Sequence, residues 1–191
     1  MEALFTSTAI VALAEIGDKT QLLAILLATR FKRPVPIIFG IFFATIANHF
    51  LAALVGSQVA SLLDGWWFRL AIAISFVAMA LWTLVPDKLD DEAGPARRGG
   101  AFLTTLIAFF LVEMGDKTQI ATIALGARFH DVIAVTAGTT LGMMIANVPA
   151  VLLGGALIRV VPLKTVRVVA AGLFLVVGLW MLAEIFGWFG G

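Results

Sequence analysis

The sequence predicts an all-α integral membrane protein whose six transmembrane helices form two inverted-topology repeats of three helices each. Three observations predict this fold class: the composition, six long apolar stretches and an internal duplication. Of the 191 residues, 61% are hydrophobic and only 13% are charged, against about 45–50% and about 25% in soluble domains. This composition excludes a water-soluble globule and a disordered chain. The lack of cysteine excludes disulfides and thiolate metal sites.

Six apolar stretches are long enough to cross a bilayer, which requires roughly 20 residues for each helix. Charged segments separate these stretches, and Pro34, Pro36, Pro86 and Pro162 lie at their edges, where proline disturbs a helix least. The five tryptophans lie near the predicted helix ends, as interfacial aromatic residues do. The predicted helices cover residues 3–29, 35–60, 69–86, 101–127, 132–158 and 167–188.

The distribution of basic residues predicts how the helices are oriented. The loops after the first, third and fifth helices hold nine Lys and Arg residues, whereas the other two loops hold only Arg69 and Arg128. This bias places the first set of loops in the cytoplasm and both termini on the periplasmic or extracellular side. The first stretch carries Glu2 where a signal peptide would be basic, so we expect it to be retained. The small size of the chain and its short termini favour a bacterial inner membrane. The expected partner is therefore the lipid bilayer, and no nucleic acid is expected.

An internal repeat divides the chain. An offset of 98 residues superposes the segment 15–21 on the segment 113–119, and it also superposes Gly40 on Gly138 and Trp82 on Trp180. We therefore predict a first three-helix repeat at 1–86, a cytoplasmic linker at 87–100 and a second three-helix repeat at 101–191. Because three is an odd number, the second repeat enters the membrane from the opposite side. The small residues at Gly138 and Gly142, and at Gly40 and Ala44, indicate close helix packing.

Ionisable residues lie near the middle of the first and fourth predicted helices. Each would cost roughly 2.5–3.5 kcal/mol if it faced lipid, so these groups must face each other, water or a bound ion. Four carboxylates and the ammonium groups of Lys19 and Lys117 leave a formal charge of −2, which one divalent cation would balance. Oxygen ligands suit Mn²⁺, Ca²⁺ or Mg²⁺. The predicted metal ligands are Glu15, Asp18, Glu113 and Asp116.

Other polar residues could complete this site. On an unbroken helix, Glu15, Asp18, Lys19 and Gln21 share one face, and Thr20 points away. A break at Gly17 and at Gly115 would instead turn backbone carbonyls toward a cavity. The predicted supplementary ligands are Gln21, Gln119, Asn48 and Asn147, although hydrogen bonding between helices accounts for the asparagines equally well. The two histidines, His49 and His130, are interpreted as surface or packing residues.

A purely structural interpretation of the charges stays open. Glu15 and Lys19, like Glu113 and Lys117, are spaced as favourable i,i+4 pairs with the acid on the N-terminal side. Each helix would then neutralise itself and use its aspartate as an interhelical hydrogen-bonding group. Charge neutralisation and interhelical hydrogen bonding do not require six polar-motif positions to be repeated in both halves, and this repetition argues against a purely structural role.

The doubled motif Glu-φ-Gly-Asp-Lys-Thr, at 15–20 and 113–118, resembles the UPF0016 (Gdt1-like) family of cation transporters, and in particular its small bacterial manganese exporters. The resemblance covers nearly the whole chain, and neither copy departs from the motif. It implies transport of Mn²⁺ and Ca²⁺ across a membrane in exchange for protons, with the motif acids as the cation site. It gives a supporting role to Lys19, Thr20, Lys117 and Thr118.

We therefore predict a secondary transporter with alternating access rather than an enzyme. It carries no prosthetic group, exports Mn²⁺ from the cytoplasm and exchanges it for protons that compete for the same oxygens. A Ca²⁺/H⁺ antiporter of the same architecture is the alternative. A lysine beside each acid pair argues against a passive channel. An intramembrane aspartyl protease built on Asp18 and Asp116 is more remote. Such an enzyme resembles Gly-x-Gly-Asp, whereas both copies here have glutamate at the position of the first glycine. A membrane scaffold is the remaining alternative.

Overall fold

The computed structural model describes residues 1–63, 65–85, 100–154, 156 and 162–188. Within these ranges the regular structure is entirely helical, and eight helices are described. Their bounds are α1 Glu2–Glu15, α2 Lys19–Phe31, α3 Pro34–Leu62, α4 Trp66–Thr83, α5 Ala101–Glu113, α6 Lys117–Phe129, α7 Val132–Leu153 and α8 Leu163–Ile185.

Four of these helices, α3, α4, α7 and α8, are long and apolar enough to cross a membrane. The chain is therefore a multi-pass membrane protein. Several predicted boundaries are wrong: α4 begins at Trp66 rather than at residue 69, and α8 spans Leu163–Ile185 rather than 167–188. The predicted boundaries lie at charged residues, but a helix tolerates such residues near its start, as it does Arg69 in α4 and Lys164 in α8. Pro162 forms the N-cap of α8. The predicted linker, except Gly100, and the predicted ends of the third and fifth helices lie outside the described residues.

The first and fourth predicted helices are both broken in the middle. α1 ends at Glu15 and α2 begins at Lys19, while α5 ends at Glu113 and α6 begins at Lys117. Gly17 and Gly115 adopt φ angles of 84° and 80°, which glycine reaches without the strain of a β-carbon. The continuous helix with a single polar face is therefore wrong, and the alternative with a break is correct.

Contacts between helices recur with the offset of the sequence repeat. α1 packs on α7, and α5 packs on α3. A β-carbon added to Gly138 would lie 2.5 Å from the carbonyl oxygen of Leu4, and one added to Gly40 would lie 2.9 Å from that of Phe102. Gly142 also lies against α1, where a β-carbon would meet the carbonyl oxygen of Thr8 at 2.7 Å. The small residues noted in the sequence therefore mark real points of close backbone approach.

Two further contacts hold the halves together. α3 packs on α6, where a β-carbon on Gly56 would lie 2.0 Å from the carbonyl oxygen of Ile123. α4 packs on α8, where the rings of Phe76 and Phe174 lie 6.3 Å apart between centroids. Helices of one half thus pack against helices of the other, and both broken segments take part in these contacts.

Candidate cation site

Each helix break is closed by a glutamine of its own motif. The Gln21 Oε1 atom accepts a hydrogen bond from the Gly17 backbone N–H at 2.9 Å, and the Gln119 Oε1 atom accepts one from Gly115 at 2.6 Å. These bonds satisfy N–H groups that a continuous helix would have paired internally. Each break therefore leaves the last residue of one half-helix beside the first turn of the next: Glu15 beside α2, and Glu113 beside α6.

Three predicted ligands are brought together by these breaks. Glu15, Glu113 and Asp116 each offer a carboxylate oxygen, and these oxygens lie within 4.8 Å of one another. The three side chains are buried, at 0%, 0% and 3% exposure. Two oxygens on opposite sides of a hard divalent cation are about 4–5 Å apart, because each metal–oxygen bond is about 2.0–2.6 Å long. The spacing of the triplet therefore fits one cation bound by both halves of the chain.

One oxygen of each of these carboxylates is buried without a hydrogen-bond partner among the described residues. The three atoms are Oε1 of Glu15, Oε2 of Glu113 and Oδ2 of Asp116. A buried carboxylate oxygen without a donor is costly, and a bound cation is the usual remedy.

The motif threonines hold the opposite oxygens of the two glutamates. Thr20 Oγ1 donates to Glu15 Oε2, and Thr118 Oγ1 donates to Glu113 Oε1 at 3.0 Å. Thr20 therefore points toward the acids and not away from them, because the break at Gly17 changes its direction relative to α1. Each threonine leaves one glutamate oxygen available.

The two lysines have different surroundings. Lys19 Nζ lies 2.9 Å from Asp116 Oδ1, so its ion pair joins the two halves of the chain instead of neutralising Glu15 one turn away. Lys117 Nζ donates to the Val85 carbonyl oxygen at 3.1 Å and lies 5.8 Å from the centroid of the Trp82 ring. With its acids ionised, the triplet together with Lys19 carries a formal charge of −2, which matches one divalent cation.

Asp18 is not part of the triplet. It occupies the N-cap position of α2 and is buried, at 6% exposure. Its counterpart Asp116 occupies the N-cap position of α6 and does belong to the triplet. The two aspartates of the duplicated motif therefore stand in unequal environments in this conformation.

Three of the four amide side chains predicted as supplementary ligands bond to a neighbouring helix. Gln119 Nε2 donates to Asn48 Oδ1, and Gln21 Nε2 donates to the Ala146 carbonyl oxygen at 3.0 Å. Asn147 Nδ2 bonds within its own helix, and its Oδ1 atom is buried without a partner among the described residues. These contacts favour the cross-helix alternative for Asn48, and they occupy the amide nitrogens of both glutamines.

His49 is a residue whose position the sequence interpretation missed. It lies in the middle of α3 with 0% exposure, and its Nε2 atom is 3.5 Å from Glu113 Oε2. The signal was its place near the centre of the predicted stretch 35–60, where a polar ring is as unusual as a carboxylate. His130, by contrast, is exposed at the end of α6, as expected.

A separate cavity of about 500 Å³ lies between the end of α3, the start of α4 and the ends of α6 and α8. Arg69, Arg128 and Glu184 line it, and none of the motif acids does. The acidic triplet is therefore distinct from this cavity.

Comparison with known proteins identifies the family. The model of the family described as "Divalent cation/proton antiporter GDT1" matches residues 3–91 and 101–188. A Vibrio cholerae protein named "Putative manganese exporter" is 52% identical over 180 residues, which cover 94% of this chain and 90% of that protein. A Synechocystis protein, "GDT1-like protein sll0615", is 28% identical over 86% of this chain and 89% of its own length. "GDT1-like protein 3" of Arabidopsis thaliana is 29% identical over 91% of this chain and 68% of its own length.

No solved structure matches the chain. The family model matches in two segments that together cover most of the sequence and correspond to the two halves of the internal repeat. The resemblance seen in the doubled motif is thereby confirmed. The chain belongs to the GDT1 family of divalent cation/proton antiporters, and it is a transporter rather than the aspartyl protease considered from its sequence.

Proposed function

We propose that this protein exports Mn²⁺ from the cytoplasm of a bacterial cell in exchange for protons, through one cation site shared by its two repeats. The observation that carries the proposal is the triplet of Glu15, Glu113 and Asp116, which come from both halves and lie within 4.8 Å of one another. The name of the Vibrio cholerae relative supports Mn²⁺ as the exported ion.

The proposed architecture has six membrane crossings in two inverted repeats, at 1–86 and 101–191, joined by a cytoplasmic linker at 87–100. In addition to the four long helices, α1 with α2 and α5 with α6 each form one broken crossing. A half-helix of 13 or 14 residues reaches only about 20 Å, whereas the bilayer core is about 30 Å thick. The breaks therefore fall near the midplane, where many secondary transporters bind their substrates. Both termini lie outside the inner membrane in this arrangement.

In the proposed mechanism, Mn²⁺ and protons compete for the same carboxylates. Metal binds the ionised triplet, and the partial negative charge at the C-terminal ends of α1 and α5 also favours a cation there. When metal leaves, protons take its place on one or more of the acids. Lys19 supplies a positive charge that stays paired with Asp116 while no metal is bound. Exchange then follows from a single site, and the proton gradient drives metal outward.

Ca²⁺/H⁺ exchange is the second candidate. The triplet is made only of carboxylate oxygens, and these ligands suit Ca²⁺ as well as Mn²⁺. A competition series in which each cation inhibits uptake of the other separates the two candidates. Preference for Mn²⁺ at micromolar concentrations supports export of manganese, and preference for Ca²⁺ supports the alternative.

The test of the proposed function is metal flux in proteoliposomes under an imposed pH gradient. We expect Mn²⁺ to move against its own gradient toward the more acidic compartment and to stop when a proton ionophore collapses the pH difference. Glu184→Gln, which changes an exposed acid outside the triplet, is the control and should behave like the wild type. Mn²⁺ flux that ignores the pH gradient would reject the exchange.

A further inference from the structure

Beside the acidic triplet lies a buried imidazole that the duplicated motif does not include. His49, in the middle of α3, has 0% exposure, and both of its ring nitrogens are buried without a hydrogen-bond partner among the described residues. A buried imidazole normally donates from one nitrogen and accepts at the other, so two unsatisfied nitrogens are costly. A group outside the described residues is expected to satisfy at least one of them.

A member of the triplet lies close to His49. Its Nε2 atom lies 3.5 Å from Glu113 Oε2, which is itself one of the three unpartnered carboxylate oxygens. Two ligands at right angles on one cation are about 3–3.7 Å apart when the metal–ligand bonds are about 2.1–2.6 Å long. The separation suits two neighbouring ligands of one ion held by Glu113, and His49 lies just outside the group of ligand atoms that are all within 4.8 Å of one another, so it would move closer to Glu15 and Asp116 when it binds that ion.

We propose that His49 is a nitrogen ligand of the transported cation and that it sets the preference of the site for a transition metal over Ca²⁺. This inference rests on the proposed function of the triplet. Ca²⁺ and Mg²⁺ take oxygen ligands almost exclusively, whereas a divalent transition metal also accepts an imidazole nitrogen, Mn²⁺ the least strongly of the series. Three carboxylates alone would not discriminate in this way.

The imidazole also makes the site asymmetric. The Ala-Asn pairs at 47–48 and 146–147 align with a one-residue slip relative to the offset of 98, so Asn48 corresponds to Asn147, and the residue that follows Asn147 is Val148. The second repeat thus places an aliphatic side chain where the first places His49. The duplication alone therefore supplies the acids, and a single position of the first repeat supplies the proposed nitrogen.

A spectroscopic experiment tests the proposal on the intact protein. Protein labelled with ¹⁵N-histidine is loaded with Mn²⁺ in nanodiscs, and electron spin echo envelope modulation reports nitrogen bonded to the metal. We expect a coordinated histidine nitrogen in the wild type and in His130→Asn, and its loss in His49→Gln. Asn is chosen for the control because His130 is exposed and has a positive φ of 53°, which Asn tolerates.

Transport gives the second readout. His49→Gln puts an amide oxygen near the position of Nε2, so we expect the ratio of Mn²⁺ to Ca²⁺ transport to fall by about tenfold or more, while Ca²⁺ transport is retained. The control His130→Asn should keep the wild-type ratio.

The outcomes separate this inference from the proposed function. Bound Mn²⁺ with no coordinated nitrogen in the wild type overturns the role of His49 and leaves the acidic site standing. An unchanged metal ratio in an active His49→Gln variant also overturns it. Wild-type protein that binds no Mn²⁺ at all overturns the proposed function itself. If His49→Gln is inactive toward both metals, the nitrogen signal of the wild type alone decides.

Discussion

Thr20 and Thr118 hold the two motif glutamates in equivalent ways. Each hydroxyl donates to one carboxylate oxygen from the first turn of the half-helix that follows the break, and the other oxygen is left unpartnered among the described residues. A hydrogen bond of this kind fixes the direction of a ligand and thereby supports metal affinity. The threonine of the motif is explained by this positioning role.

The first prediction concerns this bond. Thr118→Val keeps the shape of the side chain but removes the donor to Glu113, so we expect Mn²⁺ affinity to fall by roughly tenfold. Equilibrium Mn²⁺ binding to the purified protein measures the effect. Thr122→Val is the matched control, because its hydroxyl donates to the Thr118 carbonyl oxygen within its own helix. Equal affinities in the two variants would contradict the positioning role.

At this scale the sequence singles out four acids, of which the structure brings three together and leaves Asp18 apart, and it predicts their neighbours poorly. Glu15, Glu113 and Asp116 stand out because a charge in an apolar helix needs a partner. The directions of Thr20 and His49 depend on a backbone break and on the rotation of α3 against α5 and α6, and no local pattern contains these. The same limits apply to Lys19, whose ion pair crosses to the other half of the chain.

The breaks at Gly17 and Gly115 are the structural elements on which the site depends. Each one places a glutamate at the end of one half-helix and an aspartate at the N-cap of the next. Counting apolar residues predicts the length of a crossing, but an interrupted stretch and a continuous one look alike in composition. The glycines were the only sequence signal for the break, and their φ angles of 84° and 80° give the physical reason for it.

The second prediction tests the second of these breaks. No neighbouring atom lies within 4 Å of the position that a β-carbon on Gly115 would occupy, so Gly115→Ala changes only the backbone preference. We expect it to destabilise the protein by about 1–2 kcal/mol and to lower Mn²⁺ transport, because the positive φ becomes strained. Gly115→Asn should be milder.

Thermal unfolding and flux assays on the same preparations measure both effects. Gly172→Ala is the control for adding a methyl group, because it lies in α8 with equally open space and no positive φ. Gly115→Ala that behaves like Gly172→Ala would show that the break does not require glycine.

The third prediction concerns the packing of α3 on α6. A β-carbon on Gly56 would lie 2.0 Å from the Ile123 carbonyl oxygen, so a side chain there would push the two helices apart. We expect Gly56→Ala to destabilise the protein by at least about 1–3 kcal/mol, the usual cost of overpacking. The unfolding temperature relative to Gly172→Ala measures this. A variant as stable as that control would mean that the contact is looser than described.

For the whole molecule, the sequence predicted a duplicated chain, and the recurring contacts follow the same offset of 98 residues. The duplication does not itself fix how the chain is oriented in the membrane. The proposed inverted topology rests on the distribution of basic residues among the loops. The inequality of Asp18 and Asp116 could not be predicted, since identical motifs become unequal only when the molecule adopts one conformation.

The fourth prediction tests the orientation, and the lack of cysteine in the chain makes it straightforward. We expect a membrane-impermeant maleimide to label Gly65→Cys in intact cells, because this exposed residue lies in a loop predicted to be outside. Arg33→Cys, exposed in the first loop, should be labelled only after the membrane is permeabilised. The reverse pattern would invert the proposed topology and with it the direction of export.

The central claim is that acids from both repeats bind one and the same cation. Equilibrium Mn²⁺ binding to the purified protein tests it most directly, with the wild type compared with Glu15→Gln and Glu113→Gln. One ion per wild-type chain is expected, and each substitution alone should abolish its binding. Two ions per wild-type chain, with one retained in each variant, would contradict the shared site.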